Sequence, residues 1–96
     1  MYYDAEKIGE RIQELRKENN ITQENLAYKL GVTAHHLGRI EKGKKGTSVD
    51  LLMDVSEYFD ISTDYLLFGR KNNSDEIKES IRSVIKQLDN IQKMVS

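Results

Sequence analysis

The sequence predicts an all-α protein: five short helices in one domain, followed by a longer amphipathic helix. Three observations predict it. Apolar residues recur at helical spacing along the whole chain, and the strict alternation of strands is absent. None of the 96 residues is proline, so no helix interior is broken by one. Small polar residues that suit helix N-termini, with Gly, Asn or Asp at the far ends, cut the chain into helix-sized pieces.

Each element follows from these signals. A first helix runs from about Asp4 to Asn19, with Ile8, Ile12 and Leu15 forming one stripe. Asn19-Asn20 ends it. Thr22 caps a second helix with Glu24 in its first turn, where an acid suits the positive end of the helix. Leu26, Ala27 and Leu30 are its buried face, and Gly31 supplies a left-handed terminator. Thr33 caps a third helix carrying Leu37 and Ile40 and ending near Lys42-Gly43. After the loop Gly43–Thr47, Ser48 caps a fourth. Its expected buried set is Leu52, Val55 and Phe59, with Val49 a half-turn earlier, and Asp60 terminates it. A short fifth helix spans Thr63 to Phe68 and stops at Gly69.

Residues 1–69 therefore form the expected domain, 70–74 ("RKNNS") a polar hinge, and 75–96 the last helix. Asn73 or Ser74 caps it, and Asp75 and Glu76 lie in its first turn. In it Ile77, Ile81, Val84, Leu88, Ile91 and Val95 are spaced 4, 3, 4, 3, 4. That is a heptad seam, which Ile85 widens. The seam must be covered. The favoured cover is the same helix of a second chain; folding back onto the domain and pairing with an antagonist protein's helix are the alternatives.

Composition narrows the function. With no cysteine there is neither a disulfide framework nor a thiolate metal site, which fits a reducing cytoplasm. No apolar run approaches the ~18 residues of a membrane span, and no secretion signal is seen. No membrane partner is expected. The net charge of −1 conceals a polarity along the chain. Residues 22–46 carry Lys29, Arg39, Lys42, Lys44 and Lys45 against Glu24 and Glu41, a net +3. Residues 47–73 carry Asp50, Asp54, Glu57, Asp60 and Asp64 against Arg70 and Lys71, a net −3. Such a molecule can offer one face to a polyanion while the other repels it.

The second and third helices, joined through "LGVT", have the helix-turn-helix pattern. In that motif the second helix enters the DNA major groove and the first lies across it, touching phosphate. The chain resembles the Cro/CI-type (XRE-like) helix-turn-helix regulators of bacteria and phages. The resemblance covers about residues 8–68 and rests on "IGERIQELR", "ITQENLAYKLGVT", "LGRIEKG" and "SVDLLMDVSEYFDISTDYLL", in order and in register. It implies a five-helix lambda-repressor-like domain that binds double-stranded operator DNA as a homodimer, usually to repress.

Carried over by position, the resemblance places Ala34, His35, Gly38 and Arg39 toward bases. Gln23, Thr33, His36, Lys42, Lys44 and Lys45 fall near phosphates. Arg39 is the strongest base reader, since a guanidinium bonds O6 and N7 of guanine together; its alternatives are a phosphate contact or a surface ion pair. Arg16 and Glu41 match a pair that the family makes between the first and third helices; phosphate binding by Arg16 is the alternative. Three positions depart from the family's habits. Ala34 stands where a longer polar residue is common and offers only an apolar contact, such as to a thymine methyl. Gly38 interrupts the recognition helix at a cost of about 1 kcal/mol relative to alanine. Thr47 replaces a frequent proline.

Adjacent histidines point about 100° apart on a helix, so His35 and His36 do not form the i, i+4 pair that grips one metal. No metal and no cofactor is expected. The absence of a phosphate loop, metal cluster or triad spacing disfavours an enzyme. Two functions remain: a dimeric DNA-binding regulator, and a protein-interaction module acting through residues 77–95.

Overall fold

The computed structural model describes residues 4–70 and 73–95, with the side chains of Asn73, Ser74 and Val95 left aside. Among the described residues six helices follow one another: α1 (Ala5–Glu18), α2 (Gln23–Leu30), α3 (Ala34–Glu41), α4 (Val49–Phe59), α5 (Thr63–Phe68) and α6 (Asn73–Val95). Among the described residues there is no strand. The all-α reading holds.

Capping explains the boundaries. Thr22, Thr33, Ser48 and Ser62 each accept a hydrogen bond from the backbone N–H three residues on. Asp4 does the same for Glu6 and Lys7. Each cap satisfies an N–H that the helix leaves without a partner. The far ends of α1 to α4 share one device. Asn20, Gly31, Gly43 and Asp60 have positive φ. The next residue's N–H then returns to a carbonyl five positions back, as Lys44 does to Arg39 at 2.9 Å.

The core is built from Ile8, Ile12 and Leu15 of α1, Leu26 and Ala27 of α2, and Leu37 and Ile40 of α3. Leu51, Leu52, Val55 and Phe59 of α4, with Ile61 and Leu66, complete it. One expectation is corrected. Val49 is 71% exposed, and Leu51 is buried in its place. Val49 is the first residue of α4, and it lies on the rim of an apolar groove with Ile8, Leu52, Met53 and Leu67.

The tightest crossing depends on a glycine. Gly9 is buried in α1, and a Cβ there would lie 2.1 Å from the carbonyl oxygen of Ile40 and 2.8 Å from that of Glu41. The missing side chain lets the C-terminal turn of α3 rest directly on α1.

α6 begins at Asn73, so residues 73 and 74 of the expected hinge are helical; residues 71 and 72 lie outside the described residues. The helix touches the domain, but not through its seam. Its polar side docks. Buried Asp75 accepts a hydrogen bond from Ser62 Oγ at 2.7 Å, and Lys78 pairs with Asp60 at 2.9 Å. Arg82 donates to the carbonyl of Phe59, and Lys86 reaches the carbonyl of Glu18 at 3.5 Å. Cations thus sit at the negative C-terminal ends of α4 and α1. Ile77, Ile81, Val84, Leu88 and Ile91 all face outward. The side chain of Val95 lies outside the described residues.

Candidate nucleic-acid interface

α3 is held by an ion pair at its end. Arg16 Nε and Nη2 donate to the two carboxylate oxygens of Glu41 at 2.8 and 3.0 Å. The Arg16 side chain is 12% exposed and that of Glu41 is 0% exposed. Arg16 also donates to the carbonyl of Ile21 at 3.1 Å, tying down the α1–α2 turn. The fork geometry fixes α3 against α1 in direction as well as distance.

Glu41 has a second partner. Gln23, the first residue of α2, donates its amide N–H to Glu41 Oε1 at 3.2 Å. Gly38 leaves room for this side chain: a Cβ on Gly38 would lie 3.3 Å from Gln23 Oε1. The structure gives a local reason for a glycine at 38, the seat of the Gln23 carboxamide.

Around that seat lies a concave surface of about 550 Å³, lined by Gln23, Ala34, His35, Gly38, Arg39, Lys42 and Lys44. Ala34 and Gly38 make a low floor between taller cationic walls. Lys44 enters because Gly43, at φ +74°, turns the chain sharply after α3. Glu41 is the sole acid of α3, and it is buried against Arg16. The notch therefore presents cations to solvent while its neighbouring carboxylate is neutralised within the fold.

The structure brings together all four residues expected to face bases and three of the six expected near phosphates. Thr33, His36 and Lys45 do not line the notch. The Thr33 hydroxyl accepts from the His36 N–H, His36 is half-buried, and Lys45 is exposed in the following loop. Among the described residues no group of His, Asp or Glu has the geometry to hold a metal. No helix there is long and apolar enough to cross a membrane. Gly9 and the Gln23–Glu41 bond were missed by sequence reasoning. A glycine amid "EKIGERI" was the available sign of the first; the second left none.

The sequence model of the helix-turn-helix family matches residues 12–66. The chain belongs to the XRE-like helix-turn-helix family of DNA-binding regulators. One relative of this family is the transcriptional regulator ImmR of Bacillus subtilis, 31% identical over 85 residues. That match covers 84% of this chain and 67% of ImmR. The P22 c2 repressor, solved in complex with a synthetic operator, superposes with a TM-score of 0.62 at 32% identity. It covers 66% of this chain and 96% of the repressor. A SinR–SinI complex structure matches with a TM-score of 0.60 at 28% identity, over 91% of this chain and 92% of that one. These likenesses carry the lambda-repressor-like fold of the five-helix domain.

Proposed function

We propose that the protein is a sequence-specific repressor that binds a near-palindromic operator as a homodimer, with α3 of each copy in the major groove of one half-site. The observation that carries this reading is the cationic notch on α3. Arg39 stands over a low floor of Ala34 and Gly38, where a base edge can approach. Lys42 and Lys44, with Gln23 fixed by Glu41, flank it where the phosphates run. Thr33, His36 and Lys45 lie further out along the backbone, and His35 faces bases beside Arg39. The similarity to a repressor solved on operator DNA supports the same placement.

The test is DNA selection from a random pool, followed by binding of the winners across salt concentrations. An inverted repeat is expected to emerge, with half-site centres one helical turn, about 34 Å, apart or a multiple of it. Arg39→Ala should lose about 10- to 100-fold of discrimination at one position per half-site, the worth of a bidentate guanine contact. Replacing Lys44 should weaken all sequences alike and lower the salt slope by about one.

Gly38→Ala separates fold from function at the same site. It removes a helix-interior glycine, a gain of up to about 1 kcal/mol, and presses a methyl group on a movable glutamine. Thermal stability should be kept or raised while operator affinity falls. A Gly38→Ala variant that binds as well as the parent would show that neither Gln23 nor the notch floor reads DNA.

A second reading rests on the exposed face of α6: a protein-interaction module whose partner, such as an antagonist, docks on residues 77–95. The SinR–SinI complex among the solved relatives supports it. Salt-independent, negligible DNA binding by the intact protein would favour it over the repressor.

A further inference from the structure

His35 is the one side chain of the notch whose residue type changes charge between about pH 5 and 8. It is exposed and shares the concave surface with Gln23, Arg39, Lys42 and Lys44. The chain holds one other histidine and no cysteine. That other histidine, His36, is half-buried and lies outside the lining. The charges around His35 are of one sign. α1 and α2 pack against α3. From α2 the notch receives the uncharged Gln23, and Glu24 beside it is not in the lining. Arg16 of α1 is not in the lining either and is bound to Glu41. α3 and the turn after it bring Arg39, Lys42 and Lys44. Glu41, the acid of α3, is buried, with both oxygens held by Arg16 and one of them also by Gln23. No carboxylate therefore stands among the described residues that line the notch. In the free protein a charged imidazole would meet three cationic side chains and no counter-charge.

We propose that operator binding is coupled to the uptake of a proton from solvent by His35, so that affinity rises as pH falls. The proposal rests on the operator-binding reading above and adds a regulation of that same site. Its physical cause is a reversal of sign. A duplex in the notch brings phosphate oxygens and the acceptor atoms of base edges to a surface that holds only cations. Such acceptors favour the charged ring, which offers two N–H donors, over the neutral ring, which offers one donor and one acceptor. At intermediate pH the complex then carries more protons than its free components. By linkage, lowering the pH shifts the balance toward the complex, and raising it releases DNA. At high pH the ring is neutral in both states and affinity is flat. The linkage falls on His35 and not on His36, because His35 alone of the two opens into the notch. Repression would therefore tighten on acidification with no ligand domain and no change of fold.

The experiment is titration of the selected operator with the full chain at fixed salt, repeated from about pH 5.5 to about pH 8 across the range of histidine. Affinity is expected to rise toward low pH by about 10-fold per half-site, the equivalent of one pH unit of differential proton binding, or about 100-fold for two half-sites. His35→Gln keeps a hydrogen-bonding side chain without a titrating group, and it should flatten the profile. His36→Gln should keep the slope, whatever it does to affinity. Thermal unfolding of His35→Gln should match the parent, since the side chain is exposed, so a flat profile there is not a folding defect. An unrelated duplex separates the two sources of the acceptor. A pH effect confined to the selected operator places it on a base edge, and an effect shared by both duplexes places it on phosphate; each supports proton uptake at His35. A parent that binds the selected operator equally well across the range would overturn the proposal and leave the operator reading intact. A slope that survives in His35→Gln would overturn it too. Failure to recover any operator would overturn both readings.

Discussion

Replacing Gly9 by alanine is expected to destabilise the domain by about 3 kcal/mol, the upper end of ordinary overpacking. For a chain of this size that is a fall in melting temperature on the order of 15 °C. The reason is what the new methyl would meet. At 2.1 Å and 2.8 Å it would overlap the carbonyl oxygens of Ile40 and Glu41, which are backbone atoms and have no rotamer to escape into. α1 and α3 would have to separate. Ile8 and Ile12 would lose contact with Leu37 and Ile40, and the Arg16–Glu41 fork would be stretched. The gain in helix propensity, about 1 kcal/mol, works the other way and is too small. Gly38→Ala is the matched control, with the same propensity gain against a flexible neighbour. Thermal unfolding of the two variants should diverge; equal melting temperatures would mean that α1 and α3 are not held in the contact described here.

Local chemistry made most of the fold legible, and contacts between distant segments hid the rest. Thr22, Thr33 and Ser48 could be read as caps because a cap acts on a residue three positions away. Ile8, Ile12, Leu26, Leu37 and Val55 could be placed in the core because helical periodicity carries that information. Val49 misled because the first turn of α4 holds Val49, Leu51 and Leu52, and periodicity alone does not say which two face inward. Gly9 was silent for a different reason. A helix-interior glycine looks like a cost until one knows that α3 passes over it. The same holds for the docking of α6. Its seam was visible as a spacing, but Arg82 and Lys86 reach backbone carbonyls, and a carbonyl leaves no mark in a sequence. In the candidate site, the cluster of Ala34, His35, Gly38 and Arg39 followed from family resemblance. The bond that fixes Gln23 to Glu41 did not, since any glutamine at the start of α2 would have looked the same.

Arg16→Met is expected to cost about 3–5 kcal/mol, because it strands the buried Glu41 carboxylate with only the Gln23 amide for a partner. Glu41→Leu should cost less, since what remains is a guanidinium that keeps its bond to the Ile21 carbonyl and some exposure to water. The informative variant is the double one. If the pair contributes mainly by not being half-broken, Arg16→Met with Glu41→Leu should recover most of the lost stability. Urea denaturation of the parent, both single variants and the double variant measures this as a coupling energy. A loss below about 1 kcal/mol in Arg16→Met would put the pair in the class of surface bridges and contradict its burial. Function is expected not to recover with stability. Leucine at position 41 accepts no hydrogen bond, so Gln23 loses its anchor even in a well-packed double variant. Its amide is then free to leave the edge of the notch. The double variant should therefore melt near the parent and bind the selected operator more weakly. That outcome would assign the Glu41 carboxylate two separable duties, one to the packing of α3 on α1 and one to the orientation of a phosphate-facing side chain.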